Sequence, residues 1–249
     1  MKGAVVILAG LLLMGIAAVG TMPATLADAR LAALTAGALR IVDARGTIWR
    51  GQGALTDARA GWQIPLTWTL DAAAIFTGEI VVTLAPMGNA SDPMGTIVAT
   101  TRRIALRDVR ATLPAPALAA LLPIRSAPAL GGDISIDAPA FRWSDGTSEG
   151  ALNLRWMRAR VATAAGSLDL GTVDVAVTPQ GPRLAGRVTN AGGDVRVDGT
   201  LGLTADGNDG ELTIAPLPGT PPALLRALAT LATPDVNGAV RLTWRNRHR

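Results

Sequence analysis

The chain has no cysteine and no tyrosine, one histidine, His248, and one lysine, Lys2. Without cysteine there is no disulfide framework, no thiolate metal site and no thiol nucleophile. A lone histidine beside the C-terminus leaves little room for Ser-His-Asp, histidine-metal or histidine general-base chemistry. With only two phenylalanines, the chain also lacks the aromatics that nucleic-acid grooves interleave with basic residues. Every cation other than Lys2 is arginine, and the net charge is +4. The densest internal group is Arg102, Arg103, Arg107 and Arg110. Strand spacing splits it between two faces and makes no flat basic patch. Arg241, Arg245, Arg247 and Arg249 read as a solvated final strand in preference to a lipid- or phosphate-binding tail.

What is present is apolar: 49% of 249 residues are hydrophobic, enough for a substantial core. Residues 3–23 carry no charge, and 4–19 are almost wholly apolar. That just meets the roughly 20 residues a membrane helix needs. Lys2 before the run places the N-terminus in the cytoplasm by the positive-inside rule. The expected organisation is a transmembrane anchor over residues 1–23 and an exported domain over 24–249. A signal peptide cleaved near Ala18-Val19-Gly20 is the competing reading.

After the anchor, leucines and alanines over 26–39 lack strand alternation and predict a short helix. The period then drops to two. Trp62, Ile64, Leu66, Trp68 and Leu70 share one face of a strand, with Gln63, Pro65, Thr67 and Thr69 on the other. Glycine-led alternations follow, starting at Gly78, Gly132, Gly150, Gly199, Gly210 and Gly238. Val173–Val177 and Val195–Val197 read as further strands, with turns at 190–193 and 206–210. Sequential short strands with tight turns favour an antiparallel meander. Two proline-led leucine stretches, 114–123 and 221–231, predict helices that each precede a glycine-led strand. The expected fold is mainly β. An N-terminal transmembrane helix precedes a curved, mostly antiparallel sheet of about ten or more strands, a half-barrel or groove with a few short helices. Trp49, Trp62 and Trp68 are expected on its apolar side.

No carboxylate pair is placed for acid–base work. Asp133 and Asp137, or Asp206, Asp209 and Glu211, read as solvated strand and turn acids. No phosphate-cradling glycine string occurs. Catalytic, cofactor and metal residues are therefore expected to be none, and the chain is read as not an enzyme. An exported hydrolase has no residues to support it.

The most specific stretch is Gly46-Thr47-Ile48-Trp49-Arg50-Gly51, running into Gln52-Gly53-Ala54. Ile48 and Trp49 suit a strand, and the glycines suit a bulge or bend at its end. A Gly-Thr-hydrophobic-Trp-x-Gly block shortly after an N-terminal anchor resembles the type II (general) secretion pathway protein N family. The motif residues are Gly46, Thr47, Ile48, Trp49 and Gly51. The order of Leu66 to Leu70, Gly150 to Trp156 and the last leucine-rich helix before Gly238 is similar too. The resemblance implies a periplasmic, non-catalytic component in the bacterial inner membrane, single-pass, assisting export of folded proteins. Its implied partners are other inner-membrane secretion components, with no cofactor and no nucleic acid. The alternation also resembles the β-groove of AsmA-like envelope proteins, which implies lipid binding or transfer as the alternative.

Overall fold

The computed structural model describes residues 20–57, 61–89, 91–117, 129–144, 147–163, 166–204 and 206–247. The expected anchor lies almost wholly outside these, as does most of the expected 114–123 helix. Among the described residues no helix is long and apolar enough to cross a membrane.

The chain opens with α1 (Thr25–Leu34), then β1 (Leu39–Gly46), β2 (Arg50–Asp57) and β3 (Gln63–Leu70). After α2 (Ala72–Phe76) come β4 (Ile80–Ala85), β5 (Met94–Ala99), β6 (Arg103–Pro114) and β7 (Leu130–Ser144). Then follow β8 (Thr147–Gly150), β9 (Leu152–Thr163), β10 (Gly166–Gln180), β11 (Arg183–Ala191), β12 (Val195–Thr204) and β13 (Gly207–Pro216). α3 (Pro222–Leu231) and β14 (Val240–Arg247) complete it. Among the described residues all strands join one 14-stranded sheet in sequence order, every pairing antiparallel. β8 pairs with the end of β7 that β9 leaves uncovered, so β8 and β9 form one broken strand. Among the described residues β1 and β14 do not meet, and the sheet is open.

The predicted meander is thus present, with strands of up to 15 residues where short ones were expected. The 206–210 turn is tighter than expected: Thr204 pairs with Gly207, and Gly207 to Gly210 are already strand.

Alternation sorts the side chains into two faces. In the C-terminal half one cross-strand row reads Leu154, Val175, Val188, Gly199, Leu212, Leu242. Interleaved positions carry cross-strand ion pairs, Arg155–Asp174, Arg187–Asp198 and Arg241–Glu211. The apolar face holds the core. α3 closes it at the C-terminal end, where Leu224 and Leu228 pack on Val173, Val188, Val195, Val197 and Val240. Phe141, Leu184, Val109 and Ala138 fill the middle. Trp68, Leu66 and Ala24 fill the N-terminal end.

Among the described residues the ladder shifts register in four pairings. One shift falls in β1 beside Asp43, one between β5 and β6 at Gly95 and Asp108, one between β7 and β9 at Gly132 and Arg158, and one between β9 and β10 around Gly171. Asp43, Asp108 and Arg158 have φ near +50° (53°, 50° and 49°). Such bulges bend a strand and increase its twist. A Cβ on Gly132 would lie 2.3 Å from the Met157 carbonyl oxygen, so only glycine lets β9 bulge so close.

Candidate functional site

The motif block is a hairpin tip. Gly46 and Gly51 pair across β1 and β2, with residues 47–50 turning between them. This corrects the expectation of a strand through Ile48 and Trp49: both lie in the turn, and Trp49 is half-exposed. The Thr47 N–H donates to the Arg50 carbonyl at 2.9 Å, and the Arg50 N–H donates to Thr47 Oγ1 at 3.1 Å. That double closure explains a threonine at the first turn position. Gly46 has φ +89°, and a Cβ there would lie 2.6 Å from the Arg50 carbonyl oxygen.

β3 then locks the tip. Trp68 Nε1–H donates to the Ile48 carbonyl at 3.0 Å, and the Leu70 N–H donates to the Trp49 carbonyl at 2.7 Å. The Trp68 ring lies over Gly51, where a Cβ would sit 2.3 Å from it. Gly210 and Trp244 repeat that arrangement between β13 and β14. Each pair lines a shallow depression, about 360 Å³ at Gly51–Trp68 and about 510 Å³ at Gly210–Trp244.

The candidate acids are taken up by arginines. Asp133 pairs with Arg158, Asp137 with Arg110 at 3.2 Å, Asp209 with Arg183 at 2.7 Å, and Glu211 with Arg241 at 3.1 Å. Asp206 is exposed in the turn before β13. In the basic cluster Arg103 pairs with Glu79 and Arg110 with Asp137. Among the described residues no group of acids or histidine has metal-binding geometry.

Sequence reading missed the cap on one sheet edge. Asp28 of α1 accepts the Ile41 N–H at 2.8 Å and both Arg40 donors, at 2.8 and 2.6 Å. Thr35 Oγ1 accepts the Leu39 N–H at 3.1 Å. Farther along, Ala24 N–H donates to the Gly46 carbonyl and Ile48 N–H to the Met22 carbonyl. The outer side of β1 is therefore occupied. The Arg40 guanidinium, chiefly by hydrogen bonding, holds the Asp28 carboxyl below its usual range. Asp92, buried in the β4–β5 connection, is lowered mainly by the Asn89 backbone N–H it accepts. β14 has no such cover: among the described residues no strand pairs with its outer side.

A family model described as "Type II secretion system (T2SS), protein N" matches residues 37–243, from just before β1 into β14. The chain belongs to that family. The match takes in the hairpin tip, the Gly51–Trp68 pair and Gly210, and stops one residue before Trp244, so the protein N family covers nearly all of the sheet, and the chain is a type II secretion component. No curated protein and no solved structure matches it.

Proposed function

We propose that the protein is a non-catalytic scaffold of type II secretion, held in the inner membrane by residues 1–23, with residues 24–249 in the periplasm. Family membership carries this reading. The unequal sheet edges support it: α1 caps β1, while no described strand pairs with the outer side of β14, and such an edge is the usual substrate for strand addition. Arg241 and Arg245 are exposed on one face of β14, and Leu242 and Trp244 are half-buried on the other. An antiparallel second copy would set arginines against arginines, so an acidic, alternating strand of another component is the better fit.

The lipid-carrier alternative draws on the apolar face, but Phe141, Leu184 and α3 occupy much of that face. The test is a photo-crosslinking residue at Thr243 in cells, with organic extraction of the purified full-length chain. Crosslinks to another secretion component from lipid-free protein are expected. Stoichiometric phospholipid with no such crosslink overturns the scaffold reading.

A further inference from the structure

Four of the large apolar side chains that the described residues leave exposed, Ile75, Phe76, Ile80 and Ile104, lie at the rim where β1 and β3 end. Phe76 is 92% exposed, on a stretch without charge from residue 72 to 78. Ile80, Ala99 and Ile104 pair in register and form the outermost row of the apolar face at that rim. The next row inward, Val82, Ile97, Leu106 and Phe141, is half-buried or buried. Arg50 and Arg102 are exposed beside the same turns, whereas Glu79 is engaged by Arg103. The connections at the opposite rim carry Asp92, Asp194 and Asp235; the described connections at this rim carry, besides Glu79, Asp71, which caps α2, and Asp206, at the far end of the sheet in the turn before β13.

The chain reaches the sheet at this same rim. Pro23 bridges to Thr47, and the Met22 carbonyl accepts the Ile48 N–H at 2.9 Å. The tip is in turn tied to Leu70, one residue before the Asp71 that caps α2. Phe76 and the uncharged N-terminal segment therefore meet the domain at neighbouring points.

We propose that this rim rests on the bilayer holding the N-terminal segment. Phe76 and Ile75 dip into the boundary between headgroups and acyl chains, and Arg50 and Arg102 face anionic headgroups. The inference rests on the anchor reading and adds a second contact to it. So small an apolar tip would bind a membrane weakly by itself. Tethering changes that, because contact becomes intramolecular and the local lipid concentration is high. A protein partner could cover the same side chains, but tether and cations together select the bilayer.

The chain has no cysteine, so single-site labelling needs no background removed. Phe76→Cys, Ile80→Cys and Val236→Cys variants of the full-length protein would carry an environment-sensitive nitrobenzoxadiazole probe. Val236 is wholly exposed in the connection leading into β14, at the opposite rim. The labelled chains are reconstituted into phosphatidylcholine–phosphatidylglycerol vesicles and floated on a gradient. The probes at 76 and 80 should shift to the blue and be quenched by spin-labelled lipid severalfold more than the probe at 236. A chain that floats with its position-76 probe unquenched overturns the rim contact and leaves the anchor standing. A blue shift without lipid quenching assigns the patch to protein and also overturns it. A chain that does not float overturns both.

Discussion

Gly51 shows how one missing side chain positions another. The Trp68 ring occupies the space a Cβ would need, and its Nε1–H reaches the Ile48 carbonyl only from there. Gly51→Val should expel the ring and break that bond. The expected loss is roughly 1–3 kcal/mol, as for other overpacked sites. It would be read as a lower urea midpoint and red-shifted tryptophan emission. Trp156 is also tied across strands, its Nε1–H donating to the Gly131 carbonyl at 2.8 Å, but without a glycine beneath its ring. These ring contacts cross strands, so sequence shows the tryptophans on an apolar face but not what lies beneath each ring.

At the scale of elements, α1 is an edge cover with hardly any packing of its own. None of its residues is buried. It is held on β1 by Asp28, Thr35 and the Arg40 pair. Because the Asp28 pKa is lowered on folding, its contribution is present above the ordinary aspartate range. It is lost as pH falls through the lowered folded value. Hydrogen exchange of the Ile41 amide should therefore accelerate in acid beyond the intrinsic trend, and Asp28→Asn should show the faster exchange already at neutral pH. An unchanged Ile41 in both would remove the cap from the account. α3 and the strand alternations were legible because each follows a local period, while α1 showed only as a lack of strand alternation and ends at Leu34, short of the expected residue 39. The hairpin tip was misread as strand, since Thr47, Ile48 and Trp49 favour pleated surfaces, and what turns them is the Thr47–Arg50 closure together with the long-range bonds from Leu70 and Trp68. The bulges at Asp43, Asp108 and Arg158 escaped because left-handed backbone at non-glycine residues leaves little local signature.

For the whole molecule, the decisive property is that each strand touches little beyond its neighbours in sequence. The C-terminal core beneath α3 and the N-terminal core around Trp68 share no residue. Leu228→Ala, at a side chain 4% exposed, should cost about 2–5 kcal/mol. Native-state hydrogen exchange should place that loss in β10 to β14 and leave β1 to β3 unchanged. Uniform acceleration across the sheet would mean the halves unfold together. The open sheet agrees with the expected half-barrel or groove, but where it bends was not legible, because the register shifts at Gly95, Gly132, Arg158 and Gly171 are not written in the strand pattern.

A strictly sequential meander also bears on how the chain could acquire its shape. Every pairing joins a segment to one already made, so loop-closure entropy stays small at each step. A chain emerging N-terminus first would find α1 waiting to cover the first edge. Each later hairpin would then add to the growing side, with no long-range partner to await. Of the described strands β14 is added last, so this sheet would finish with that edge pointing away from the part that formed first.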